Sequence, residues 1–183
     1  MKKAYANGTE LRGKTLGIVG IGRIGQATAK MALGLGMKVI AADMFIPKVD
    51  VKVEFFDGQS ITTTILSQSL ESLFKEADFI SLHVPAQDGY IVDEATLSIM
   101  KDGVGIVNCA RGGVIDEVAL IKALDSGKVS FAGLDVFESE PKPEMTILMH
   151  PKISLTPHIG AATGEAQDRI GTELASQIIS ILS

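Results

Sequence analysis

Apolar runs of strand length alternate with helix-like segments along almost the whole chain. "KTLGIVG" (14–20) is nearly continuous in apolar residues and predicts a buried strand. "IGQATAKMALGLG" (24–36) has the pattern of an amphipathic helix and ends on glycine. The same reading predicts strands at "KVIAAD" (38–43), "DFISLHV" (78–84), "GVGIVNCA" (103–110), "SFAGLDV" (130–136) and "KISLTP" (152–157). Helices are predicted at "SLESLFKEA" (69–77), "DEATLSIMK" (93–101), "DEVALIKALDS" (116–126) and "GEAQDRIGTELASQIISIL" (164–182). Asp93 and Asp116 stand as N-caps of two of them, with Gly103 and Gly127 beyond their far ends. Strands of unbroken Val/Ile/Leu character, each followed by a helix, predict a parallel sheet covered on both faces. That is an α/β doubly wound fold of three layers, α/β/α, which takes its ligand at the carboxyl ends of the strands near the topological switch point.

One segment reads two ways. "VDVKVEFFDGQSITTTILSQS" (49–69) carries two β-rich runs either side of Asp57-Gly58, which suits a hairpin. It also suits one parallel strand followed by a long loop. No repeat, low-complexity tract or linker divides the chain, so one domain over 1–183 is expected.

Composition narrows the function classes. At 183 residues, 46% of them hydrophobic, the chain can bury a sizeable core, yet no apolar run is long enough to cross a bilayer. The start, "MKKAYANGTELRGK", has lysines without an apolar stretch behind them, so no secretory leader is read. The net charge is −5 and no Lys/Arg stripe offers a footprint for nucleic acid. The single cysteine, Cys109, excludes an internal disulfide and any multi-cysteine metal site. A cytoplasmic protein with no metal, no membrane and no nucleic-acid partner is the expectation.

The chemistry begins at Gly20-Ile21-Gly22-Arg23-Ile24-Gly25, a G-x-G-x-x-G between a strand and a helix. Gly20 would permit the tight turn, Gly22 the approach of a diphosphate, and Gly25 the packing of helix on strand. The helix N-terminus would offer free N–H groups to the phosphates. Asp43 closes the next strand, where its carboxylate can accept from ribose hydroxyls and would repel a 2′-phosphate. With only Lys48 following, NAD is favoured over NADP. The competing role for Asp43 is to end a strand and cap a turn.

Further polar residues stand at later strand ends: Arg111 in "NCARGGVIDE", Asp135 and Glu140 in "GLDVFESEP", and His158 in "LTPHIGAATGEAQ". In a doubly wound sheet all face the cofactor side. The set suits hydride exchange with a ketone. An imidazolium donates a proton to the developing alkoxide and recovers it in reverse. A carboxylate beside it favours the charged ring, and an arginine grips a substrate carboxylate through paired hydrogen bonds. Taken singly, each is more often a surface ion pair or a satisfied strand-end residue; together they favour catalysis. Cys109 reads as a packing thiol, His83 in "SLHVP" as a shaper of the loop with Pro85, and His150 as structural.

In these four ordered motifs the chain resembles the cofactor-binding domain of the D-2-hydroxyacid dehydrogenases, and within that family the D-3-phosphoglycerate dehydrogenase branch. The resemblance implies an NAD-dependent enzyme with Arg111 on the substrate carboxylate and carbonyl, Glu140 raising the basicity of His158, and His158 as acid/base. It implies Asp135 at the nicotinamide carboxamide, Arg23 and Ile24 at the diphosphate, and Asp43 on the adenosine ribose. Pro85, Cys109, Ala110, Ile159, Gly160 and Ala161 would contact the cofactor through backbone or packing. The turn after "SLHVP" departs from the family's threonine-containing sequence and reads "AQDGY". The resemblance further implies a second, substrate-binding α/β domain that is not in this chain, and pairing of cofactor domains into a homodimer. The expected substrate is a small 2-hydroxy or 2-keto acid. D-3-phosphoglycerate of serine biosynthesis comes first, then glyoxylate or hydroxypyruvate. A non-catalytic NAD-binding module of the corepressor type is the alternative.

Overall fold

The computed structural model describes residues 8–182; the stretch 1–7, where the absence of a leader was read, lies outside them. The chain runs β1 (Thr15–Val19), α1 (Arg23–Gly34), β2 (Lys38–Ala42), β3 (Lys48–Glu54), β4 (Ser60–Leu66), α2 (Leu70–Glu76), β5 (Phe79–Leu82) and α3 (Glu94–Ile99). It continues through β6 (Val104–Asn108), α4 (Glu117–Ser126), β7 (Val129–Leu134), α5 (Met145–Leu148), β8 (Ile153–Leu155) and α6 (Gly164–Leu182). Six strands form one sheet in the order β2-β1-β5-β6-β7-β8, every neighbouring pair parallel. The chain steps outward from β1 to β2 and then returns past β1 to β5, so the switch point lies between β1 and β5.

The 49–69 segment is a hairpin. β3 and β4 pair antiparallel as a separate two-stranded sheet around the Asp57-Gly58 turn, where Gly58 has φ 84° and the Asp57 carboxylate accepts from Gln59 N–H. Period-2 alternation puts Val51 and Ile65 inward, where they join Ala29 and Ala32 of α1 in one apolar cluster. The second and larger cluster gathers Ile80, Leu82 and Ile106 with Phe74, Leu120 and Leu124 from α2 and α4. Burying each such large side chain stabilises by about 1.5–3 kcal/mol.

Two features escaped the sequence pattern. The single turn α5 is too short to show a period. The long terminal helix forms over the predicted span, yet α6 buries no residue, and Ile170, Leu174, Ile178 and Ile181 remain exposed. Among the described residues no helix is long and apolar enough to cross a membrane.

Candidate functional site

The carboxyl edge of the sheet carries the predicted residues. At the switch point Gly20 takes φ 89° and its N–H donates to Ala42 O at 2.9 Å. A Cβ on Gly25 would stand 2.2 Å from the Gly20 carbonyl oxygen, so only glycine lets α1 start against that strand. Gly22 is the N-cap of α1, with no side-chain cap and no acidic residue in the first turn, and a Cβ there would meet open space. The first amides of α1 thus face outward without a side-chain acceptor. Ile24 is exposed beside them, and so is Pro85 on the loop after β5.

Asp43 caps a turn, the competing role considered for it, and also holds the glycine loop. One carboxylate oxygen accepts from Phe45 N–H and Ile46 N–H at 2.8 and 3.0 Å, capping the turn. The other accepts from Ile21 N–H at 2.9 Å and so ties the glycine loop to the end of β2, with capacity left for a further donor. Arg23 does something the sequence did not suggest. Its guanidinium makes a two-pronged contact with Glu173 of α6 at 2.8 and 3.0 Å, while remaining 85% exposed.

The second half of the edge holds the acid/base groups. His158 Nδ1 lies 2.8 Å from Glu140 Oε2, and Glu140 Oε1 accepts from Phe137 N–H at 3.0 Å, so both carboxylate oxygens are fixed. The hydrogen bond to His158, then the one from Phe137, hold the Glu140 carboxyl below the usual glutamate range. His158 itself sits at φ 54°, in the left-handed region that few non-glycine residues occupy, although histidine enters it more readily than most. Asp135 braces the turn. It is buried, accepts from Thr156 Oγ1 at 2.5 Å, and takes the N–H groups of Ile159 and Gly160 at 2.8 and 2.9 Å. Burial pushes its carboxyl up, but these hydrogen bonds together outweigh it and keep the group ionised. Most of the acceptor capacity expected for a carboxamide is therefore already spent on the His158 turn.

Asn108 is a residue the sequence reading missed. It is buried at the end of β6, accepts from Ala110 N–H at 3.0 Å and donates to the Arg111 carbonyl at 3.1 Å. A buried asparagine closing an apolar strand just before "CARGG" was the available signal. It shapes the loop from which Arg111 projects, exposed, with Nη1 donating to Ala110 O at 2.6 Å. The structure brings Glu140 and His158 into contact and leaves Arg111 turned back on its own loop. Ala110 is buried, whereas Cys109, Ile159, Gly160 and Ala161 are exposed at the same edge. Desolvation and the Asp135 charge push the Cys109 thiol up, which suits packing better than nucleophilic attack.

A cavity of about 500 Å³ lined by Phe137, Pro141, Leu148, Leu155 and the Glu140–His158 pair opens beside this turn. His83 stands at the switch point, its Nε2 2.8 Å from Ser81 Oγ and its Nδ1 buried without a partner; burial pushes its pKa down. His150 binds Asp125 and accepts from Lys152 N–H, a structural arrangement. Among the described residues no group of His, Cys, Asp and Glu is arranged to hold a metal ion.

Comparison with known proteins gives this edge its context. Residues 1–160 match the family described as D-isomer specific 2-hydroxyacid dehydrogenase, NAD binding domain. Hydroxypyruvate reductase of Thermotoga maritima is 48% identical over 99% of this chain and 57% of its own length. D-3-phosphoglycerate dehydrogenase of Methanocaldococcus jannaschii is 45% identical over 96% of this chain and 32% of its own. Among solved structures, D-2-hydroxyisocaproate dehydrogenase superposes with a TM-score of 0.81 at 32% identity, covering 97% of this chain and 55% of that one. D-lactate dehydrogenase of Aquifex aeolicus, complexed with NAD and lactic acid, gives a TM-score of 0.75 at 34% identity over 96% and 55% of the two chains. The chain thus spans between a third and somewhat over half of these relatives. With the sheet order, the glycine loop and the Glu140–His158 pair already in place, the match over residues 1–160 is decisive: the chain belongs to the NAD-binding domain family of the D-isomer specific 2-hydroxyacid dehydrogenases.

Proposed function

We propose that the chain is the cofactor domain, a single domain over 1–183, of an NAD-dependent D-2-hydroxyacid dehydrogenase whose substrate domain lies elsewhere in a longer parent. The observation that carries the reading is the Glu140–His158 contact at 2.8 Å on a left-handed turn that Asp135 braces. The glycine loop also fits the dinucleotide. Gly22 opens onto free space, the first turn of α1 has no acidic residue, and Asp43 keeps acceptor capacity at the loop. Gly20, Gly22 and Gly25 would hold the diphosphate, and Asp43 the adenosine ribose. Arg23 would reach the diphosphate by leaving Glu173, with Ile24, Pro85, Cys109, Ala110, Ile159, Gly160 and Ala161 along the cofactor's length. Asp135, besides fixing the turn, would receive the carboxamide on its remaining acceptor site.

NAD, when bound, supplies the two-electron acceptor. The chain's own groups handle the proton and the substrate. With Nδ1 committed to Glu140, His158 has Nε2 as the atom that takes the hydroxyl proton in oxidation and returns it in reduction. The ionised Glu140 stabilises the imidazolium formed. Arg111, released from Ala110 O, grips the substrate carboxylate through its forked donors.

D-3-phosphoglycerate, feeding serine biosynthesis in the cytoplasm, is the first substrate reading, with a homodimer formed through this domain. Hydroxypyruvate or glyoxylate is the second, supported by the 48% identity to the hydroxypyruvate reductase. Retention of Arg111, Glu140 and His158 leans toward catalytic ancestry, and turnover is what separates the enzyme from a non-catalytic module of the corepressor type. The test is twofold. The chain alone binds NADH but turns over little hydroxy acid, because half the cleft wall that positions substrate is supplied by the other domain. In the full-length parent, His158→Gln abolishes turnover while NADH binding survives. A parent that binds NADH but turns over no hydroxy acid, with or without His158→Gln, returns the corepressor-type reading.

A further inference from the structure

Arg111 sits after β6, Glu140 after β7 and His158 after β8, and the Glu140–His158 contact ties the last two together. A single keto acid gripped by Arg111 and protonated by His158 requires the Arg111 loop and this pair in fixed register. Glu117, the first residue of α4, is buried, and its N–H donates to Glu138 Oε1 at 2.8 Å. Glu138 returns the contact: its own N–H donates to Glu117 Oε1, also at 2.8 Å. This reciprocal clamp joins the start of α4, just past the Arg111 loop, to the segment that carries Glu140 two residues later. Beside it the two backbones touch. A Cβ on Gly112 would stand 1.8 Å from the Phe137 carbonyl oxygen, and Phe137 N–H is the donor that fixes Glu140.

A third loop joins them. Tyr90, at the end of the unusual "AQDGY" turn, donates its hydroxyl to Glu138 Oε2 at 3.3 Å. The Glu138 charge pushes the Tyr90 phenol up. Glu138 therefore receives one donor on each carboxylate oxygen from two different loops while its backbone serves Glu117.

We propose that Glu138 is a positioning residue of the dehydrogenase site, setting the separation between the Arg111 guanidinium and the His158 imidazole. The inference rests on the reading of those two residues given above. Neither Glu138 nor Glu117 contacts substrate or cofactor in this scheme; they act through the loops they join.

The experiment uses the chain itself, with Tyr5→Phe as background so that Tyr90 is the only tyrosine, and the variants Glu138→Gln and Glu138→Ala. Oxamate, a small 2-keto acid mimic, is titrated into NADH-saturated protein. Glu138→Ala is expected to weaken oxamate about tenfold while NADH affinity stays within about twofold, and Glu138→Gln, which keeps an acceptor for Glu117 N–H, to restore most of the loss. The Tyr90 absorbance titration should move to lower pH in both variants. In ligand-free protein Glu138→Ala should shift the Arg111 Nε–H and His158 ring resonances together, leaving the amides of residues 20–25 in place. Oxamate affinity unchanged in Glu138→Ala, or NADH and oxamate falling in parallel, overturns the proposal. Wild-type protein that ignores NADH overturns the cofactor-domain reading instead; there, and equally where wild type takes NADH but no oxamate, the ligand-free spectra decide the clamp. Arg111 and His158 moving together upholds it, and either one staying put refutes it.

Discussion

Four helices of this fold begin with very different chemistry at their amino ends. α2, α3 and α4 each close theirs with a side chain: Ser69 accepts from Ser72 N–H, Asp93 from Thr96 N–H, and Asp116 from Ala119 N–H. Each also carries a glutamate in its first turn, Glu71, Glu94 and Glu117. α1 has neither. A glycine stands at its cap and its first-turn charge is the positive Arg23. Capping and acidic first turns are each worth up to about 1 kcal/mol, so leaving α1 bare costs stability that the other three helices collect. The difference separates helix ends satisfied by the fold from one whose donors and dipole are left for an anion.

The largest test strikes the geometry that makes α1 possible. Gly25→Val puts side-chain atoms into a space where the Gly20 carbonyl already lies 2.2 Å from a Cβ. That neighbour is backbone and cannot step aside. A loss of about 3 kcal/mol or more in urea unfolding is expected, with NADH binding lost alongside. A variant of wild-type stability would mean that helix and strand do not meet as described.

The sharper test makes α1 resemble its siblings. Gly22→Asp supplies the missing cap, and nothing crowds a side chain there. Stability should hold or rise by a few tenths of a kcal/mol, while NADH affinity falls about 100-fold as a carboxylate takes the donors proposed for the diphosphate. Titration by NADH fluorescence and a urea melt of the same sample read the two effects separately. If affinity and stability both rose, the bare helix end would not be the diphosphate site.

Much of this contrast was legible in the sequence. The caps Asp93 and Asp116, the glycine loop and the parallel character of the sheet all follow from the chain's own patterns, since caps, periods and strand–helix alternation are read along the sequence. The left-handed His158 was not legible, because the residue that braces it is Asp135, 23 residues earlier, folded under the turn. Nor was the pairing of Arg23 with Glu173, which lies 150 residues away. The hairpin of β3 and β4 stayed ambiguous for a related reason. Its alternation fits two-stranded pairing, but only packing of Val51 and Ile65 on α1 selects it over one strand and a loop.

The converse of the Gly22 test removes caps where the fold needs them. Asp93→Ala and Asp116→Ala should each cost about 1 kcal/mol in urea unfolding, and Asp93 also loses a reciprocal capping box with Thr96. NADH affinity should stay within about twofold in both. A drop in affinity matching the drop in stability would mean that every helix end at this edge serves the ligand, and the distinction would fail.

The smallest effect concerns what supports the open end. A Cβ on Gly20 would lie 2.7 Å from the His83 carbonyl, so the glycine loop rests on the strand end that holds this histidine. Burial lowers the His83 pKa from its ordinary 6.5, and its Nδ1 has no partner to stabilise a charged ring. The unfolded chain therefore binds a proton that the folded chain resists. The sign follows: stability is complete above about pH 6.5 and declines as the pH falls from there toward the depressed folded value. His83→Gln should flatten that part of the stability–pH curve relative to wild type, with the other two histidines unchanged in both proteins. A wild-type slope of the opposite sign would require a charged imidazole beneath the glycine loop. The diphosphate would then be met by a cation as well as by the bare amides of α1.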